Sequence, residues 1–209
     1  MKESRISTDR FARGIVSGRW VNTKTGETLP FEPRHNQLTY RSADAMALAF
    51  AGNTARIPKY IGFIYGSSTN PTGIHSPSDR DLRWDSLSSE VQKIGGNILI
   101  SQFSIPPTIS VDDEESTDRT RYVGNAVTFH AHTRSGAAGT YAFPTDGTSY
   151  AGEFADGMTL YHGLLLGDDP DTGEKRTVPL ARVSLAVNGE YRQKPKDYEL
   201  ALDWRVTFF

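Results

Sequence analysis

Residues 198–209 read "YELALDWRVTFF" and alternate without a break. One face takes Tyr198, Leu200, Leu202, Trp204, Val206 and Phe208. The other takes Glu199, Ala201, Asp203, Arg205 and Thr207. A period of two with an aromatic and β-branched face marks a half-buried β-strand. Loose termini are usually polar because little holds them down, so this stretch predicts a strand pinned in a sheet, with Leu202 and Trp204 in the core. Phe209 falls on the polar face and is a candidate contact for a partner.

The rest of the composition agrees with a sheet protein. The chain has 209 residues, 37% of them hydrophobic, with ten Phe, nine Tyr and three Trp. Its 19 Gly and 11 Pro favour many turns over long helices. A net charge of −2 argues against a polyelectrolyte that binds nucleic acid directly. No run of 18 apolar residues suggests a transmembrane helix. The opening "MKESRISTDRFARG" lacks the apolar core of a signal peptide, so synthesis and retention in a cytosol are expected. The absence of cysteine excludes disulfides, thiolate nucleophiles and Cys-based zinc sites.

Residues 1–18 carry Arg5, Arg10 and Arg13 and few large apolar side chains, which predicts an extended N-terminal arm. "RWVNTKTGETLPF" (19–31) reads as a short hairpin turning near Lys24-Thr25-Gly26, with Pro30 and Pro33 ending the unit. Residues 1–33 are thus read as arm and hairpin, and 34–209 as one β-sandwich domain. A single short helix is predicted near 42–51. Ser42 is its expected N-cap, Gly52 its C′ residue, and Met46, Ala47 and Phe50 its shared face. "IPKYIGFIYGSS" (57–68) reads as a buried strand over the apolar run Tyr60 to Tyr65, followed by a long exposed loop, and 97–111 reads as a strand interrupted by Pro106-Pro107. "RYVGNAVTFHAHTR" (121–134), "MTLYHGLLLG" (158–167) and "VPLARVSLAV" (178–187) read as further strands, the last two pairing across a polar turn. From about residue 97 onward this predicts a five-strand antiparallel meander. The fold class expected is all-β, an antiparallel β-sandwich with one short α-helix in its N-terminal half.

Chemistry-bearing motifs are sparse. His130 and His132 form an H-x-H pair on one strand face and are the candidate metal ligands, although no third ligand stands at a convincing spacing. Asp168, Asp169, Asp171 and Glu174 lack the spacing of a calcium loop and suit a hairpin turn. The run Asp112 to Glu115 is adjacent carboxylates in one loop, which does not place two of them across a bond. No nucleophile elbow, phosphate-binding loop or zinc-protease motif is present. The expectation is no catalytic residue, no cofactor and no enzyme. Tyr141, Phe143, Tyr150 and Phe154 cluster aromatic rings in a Gly/Ala-rich stretch and are candidate interaction residues, together with Arg5, Arg10, Arg13 and Phe209.

The order of these motifs resembles a group of bacteriophage virion proteins of tails, fibres and necks. The likeness rests on Asn36, "ADAMALAFAGN", "IPKYIGFIYGSSTNPT", "VTFHAHT", "GMTLYHGLLLGDD", "LARVSLA" and the closing "LDWRVTF", spanning roughly residues 34–209. It implies a non-enzymatic virion component, made in the host cytoplasm, that assembles as a homo-oligomer beside other virion structural proteins in a tail, neck, baseplate or fibre-attachment region. Loops, the N-terminal arm and strand addition at an open sheet edge are the expected means of assembly. Alternatives are a capsid decoration protein and a carbohydrate- or receptor-binding module.

Overall fold

A computed structural model describes residues 12–53, 57–68, 97–102, 105–110, 125–133, 141–142, 149–150, 157–169, 176–186 and 191–208. Its described part is all-β, with two antiparallel sheets and one short helix. Thirteen strands run in chain order: β1 (Ala12–Asn22), β2 (Thr28–His35), β3 (Gln37–Leu38), β4 (Pro58–Gly66), β5 (Asn97–Gln102), β6 (Ile105–Ser110), β7 (Ala126–Thr133), β8 (Tyr141–Ala142), β9 (Ser149–Tyr150), β10 (Thr159–Asp169), β11 (Arg176–Ser184), β12 (Arg192–Gln193) and β13 (Tyr198–Phe208). Helix α1 (Tyr40–Phe50) follows β3. The first sheet has the order β2-β1-β13-β7-β6. The second has the order β3-β11-β10-β4-β5, with β12 continuing the β11 side of β10. β8 and β9 form a separate two-residue ladder.

The alternation in β13 works as read. Leu200, Leu202, Trp204 and Val206 are buried, and Glu199, Ala201, Asp203 and Arg205 are half-buried on the outer face. β13 sits mid-sheet between β1 and β7, paired along its whole length with β1 from Ala12↔Phe208 to Asn22↔Tyr198. The inner faces of both sheets share one core, including Val16, Trp20, Phe129, Leu202 and Trp204 from the first and Ile61, Phe63, Leu165 and Val183 from the second. Trp204 is fully buried. It fits over Gly163 of β10, where an added Cβ would lie 3.4 Å from Trp204 Cζ3 and 3.1 Å from Val183 Cγ1. The missing side chain there lets the largest ring of one sheet seat against the backbone of the other.

Three features differ from the sequence reading. Residues 12–18, read as part of an arm, are the first half of β1 and pair with β13. Their inner face is Ala12, Gly14, Val16 and Gly18, too small to register as hydrophobic alternation. The space at Gly14 is taken by Asn36 and that at Gly18 by the Phe31 ring. The hairpin turn is where the sequence placed it: Asn22 Oδ1 accepts from the N–H groups of Lys24 and Thr25, and Gly26 has φ +74°. Pro30 and Pro33 do not end the unit, however. They lie within β2, an edge strand where proline is tolerated, and the register slips between Gly18↔Phe31 and Val16↔Arg34.

Second, the strands after residue 97 are not one meander. β5 belongs to the second sheet and β6 to the first, so consecutive strands lie in different sheets, the second starting just before Pro106-Pro107. β10 and β11 pair as expected, and β13 returns to the first sheet. Third, α1 starts two residues earlier than expected. Thr39 occupies the N-cap position, and Ser42 points inward to donate to the Leu180 carbonyl. The buried face is Ser42 and Ala45, whereas Ala47 is exposed and Phe50 is 94% exposed. The C-terminus does follow the sequence: Gly52 at φ +84° donates to Ala49 O and Asn53 to Leu48 O, the Schellman pattern.

Trp204→Ala is expected to cost about 3–5 kcal/mol, because it removes a fully buried indole from the shared core and leaves a cavity over Gly163. Urea unfolding monitored by circular dichroism measures this directly. A midpoint equal to that of the unmodified chain would show that the ring does not bridge the sheets.

Candidate interaction site

β11 slips register opposite β10 between Ala181↔Leu165 and Pro179↔Leu166, which leaves Leu180 without a partner on β10. Its carbonyl instead anchors the entry to α1. It accepts from Thr39 N at 2.9 Å and from Ser42 Oγ, while the Thr39 hydroxyl is shared between the Pro179 carbonyl at 2.8 Å and the Leu180 carbonyl at 3.0 Å. Thr39 and Ser42 are buried, so these bonds are shielded from water and fix the helix against β11.

Held there, α1 forms one wall of a cavity of about 350 Å³ at one end of the sandwich. Ser42, Ala45, Met46 and Ala49 line it from the helix. Ala12, Val127, Phe129, Val206 and Phe208 line it from the first sheet, and Leu38, Leu165 and Leu180 from the second. Ile57 and Phe208 stand at 37% and 38% exposure, so the apolar lining reaches the surface. Among the described lining residues only Ser42 has a polar side chain, and its hydroxyl is committed to Leu180. Such a lining takes apolar groups and offers little to orient a charged ligand. Two more large apolar side chains are exposed on neighbouring segments: Phe50 ends α1, and Ile109, 73% exposed, pairs with Val127.

The outer face of the first sheet is polar. His130 and His132 project from it as the alternation predicted, but they do not converge on a shared ligand position. His130 Nδ1 lies 2.7 Å from Asp203 Oδ1 and His130 Nε2 lies 3.1 Å from Thr108 Oγ1. His132 Nε2 lies 2.9 Å from Glu199 Oε2. Among the described residues no three His, Asp or Glu side chains gather as a metal site. Arg13 is exposed on β1, opposite Thr207. Tyr141 and Tyr150 are register partners across β8 and β9. Arg5, Arg10, Phe143, Phe154 and Phe209 lie outside the described residues.

A second polar group is internal. Arg182 is fully buried, and its Nε donates to His162 Nδ1 at 2.6 Å. His162 Nε2 therefore carries the proton of the neutral ring and faces the Tyr191 hydroxyl at 3.4 Å. Burial, reinforced by the Arg182 charge, holds the His162 pKa well below the ordinary histidine value. The ring sits inside the fold on β10, a position that supports architecture.

No protein-family model, no curated protein and no solved structure matches the chain. The class that fold and site define, over the described residues, is an all-β, two-sheet protein with an apolar cavity beside helix α1.

His162 gives a pH dependence of known sign. In the unfolded chain it protonates near pH 6.5, whereas in the folded chain it stays neutral to lower pH. The unfolded state thus binds more protons between the two values, and stability falls as pH drops below about 6.5, by up to about 1.4 kcal/mol per pH unit. His162→Gln retains an acceptor for Arg182 and removes the titration. Its melting temperature is expected to fall less between pH 7 and pH 5 than that of the unmodified chain. Equal falls would assign the acid sensitivity to other groups.

Proposed function

We propose that this chain is a non-enzymatic structural component of a bacteriophage or phage-like particle, assembling as an oligomer in a tail, neck, baseplate or fibre-attachment region. The observation that carries the reading is the half-open apolar cavity whose lining continues to the surface at Ile57 and Phe208. Contiguous exposed apolar surface of this kind is a common mark of a contact site, because a partner that covers it removes apolar area from water. The motif resemblance over residues 34–209 supplies the particle setting.

The mode of assembly follows from what each surface offers. Both edge strands of the first sheet contain two prolines: Pro30 and Pro33 in β2, Pro106 and Pro107 in β6. Proline removes the N–H that strand addition needs, so these edges are poor templates for a neighbour's strand. Side-chain docking at the cavity rim takes the place of strand addition at this sheet. An assembly role for the N-terminal segment rests on residues 1–11, since a deletion reaching residue 18 would remove Val16 and half of the β1–β13 ladder.

A second reading has one observation in its favour. The β8–β9 ladder makes Tyr141 and Tyr150 register partners, and tyrosine is a residue type suited to contact with sugar rings. Binding of the isolated protein on a glycan array would favour that reading.

Ile109→Asp and Phe208→Asp are expected to leave the fold intact, with stability changes of about 1 kcal/mol or less, while abolishing incorporation into particles and lowering the solution mass. Sedimentation of the purified chain, beside its copy number per particle, reads both outcomes. A small ring or trimer multiple supports a neck, baseplate or fibre position, and hundreds of copies would favour capsid decoration. Unchanged incorporation of both variants would remove the rim from the assembly interface.

A further inference from the structure

We propose that Thr108 is an acyl-acceptor hydroxyl, activated through His130 by Asp203, which takes an acyl group from an activated ester or thioester. This goes beyond the assembly role and is independent of it. Three strands bring the groups into line. Asp203 on β13 is the register partner of His130 on β7. β6 shifts register between Ile105 and Thr108, across Pro106-Pro107, which places Thr108 opposite Thr128 and diagonal to His130.

The proton positions follow from the partners. An ionised carboxylate only accepts hydrogen bonds, so His130 Nδ1, 2.7 Å from Asp203 Oδ1, carries the ring proton. In the neutral ring Nε2 then has a lone pair, and it faces Thr108 Oγ1 at 3.1 Å. Between those two atoms only the hydroxyl can donate. Hydroxyl, imidazole and carboxylate thus stand in the order of nucleophile, base and orienting group, each at hydrogen-bond distance. Thr108 is exposed on an edge strand, and the His130 and Asp203 side chains are 22% and 40% exposed, so a small donor reaches the hydroxyl from solvent. The open setting leaves activation of the carbonyl to the donor, which selects activated esters and thioesters over amides.

In the transfer, Thr108 Oγ1 forms a bond to the acyl carbon while the carbon–oxygen or carbon–sulfur bond of the donor breaks. The hydroxyl proton passes to His130 Nε2 and then to the departing phenolate or thiolate. No electrons are exchanged with an outside oxidant or reductant, and the product is an O-acyl threonine.

The full chain incubated with p-nitrophenyl acetate, and separately with S-phenyl thioacetate, tests this by peptide mass spectrometry. Acetylation of Lys24, whose side chain is 69% exposed, tracks the general reactivity of each donor. Thr108 is expected to acquire acetyl faster than the exposed hydroxyl of Thr25. Thr108→Ser is expected to remain reactive and Thr108→Val to lose the adduct. In His130→Gln and Asp203→Asn, with the fold verified by circular dichroism, the rate at Thr108 is expected to fall at least ~10-fold while Lys24 is unchanged. Acetylation of Thr108 no faster than Thr25 in the unmodified chain would overturn the proposal without recourse to any variant. An undiminished rate in folded His130→Gln would overturn it as well, leaving the three groups as a cross-strand polar ladder.

Discussion

The indole of Trp204 lies between the sheets, over the bare backbone of Gly163, and the placement of the remaining strands depends on that contact. It sets the sheet separation at the centre of the core, where Val183 also closes on the same gap. Because Trp204 is in β13, it also fixes which face of that strand points inward, since a slip of one residue would expose every inward side chain. β13 in turn carries β1 on one side and β7 on the other, so three strands share the register in which this ring is buried. The same alternation puts Glu199 and Asp203 on the outer face, opposite the side that holds the core. Core packing and surface chemistry on β7 and β13 are therefore two consequences of one register.

A second constraint, at Leu180, organises the helix. A residue unpaired in the ladder would leave a carbonyl unsatisfied in a buried strand, at a cost of roughly 1–3 kcal/mol. Thr39 and Ser42 remove that cost by donating to it, and in doing so they settle where α1 begins and which way it faces. The cavity follows from this arrangement. A helix held at its first turn over one sheet, packing through the small side chains of Ala45 and Ala49, leaves space beside Leu165, Val206 and Phe129.

How much of this was legible in the sequence varied with side-chain size. β13, β7, β4 and β10 were readable because their inner faces carry large apolar residues at period two or in a continuous run. β1 was not, since four of its inward positions are Ala12, Gly14, Val16 and Gly18, and a glycine in a strand gives no periodic signal. Its partners Asn36 and Phe31 lie on other segments, and nothing local announces them. The helix was legible as an element, yet its buried face was misassigned: Ser42 faces inward because of a carbonyl 138 residues away. The cavity draws on both sheets and α1 and has no motif of its own. Thr108, His130 and Asp203 are separated by 22 and 73 positions, so H-x-H stood out while its actual partners did not.

The distribution of proline bears on how such a molecule meets its neighbours. An exposed sheet edge invites pairing with any available strand, and proteins that must assemble in one geometry suppress that route. Here β2 and β6, the two edges of the first sheet, each give up two N–H groups to proline. The register shift across Pro106-Pro107 sets Thr108 opposite Thr128, one diagonal step from His130. The cavity end of the molecule has the opposite character, with Ile57 and Phe208 partly exposed and Ile109 largely so. Backbone pairing is thereby discouraged at the sides of the sheet while side-chain burial remains available at its end. Contact made through side chains fixes one orientation, because an apolar cavity accepts a matching shape, whereas an open edge accepts strands in several registers. In the assembly role proposed above, selectivity of this kind would matter more than the total area buried.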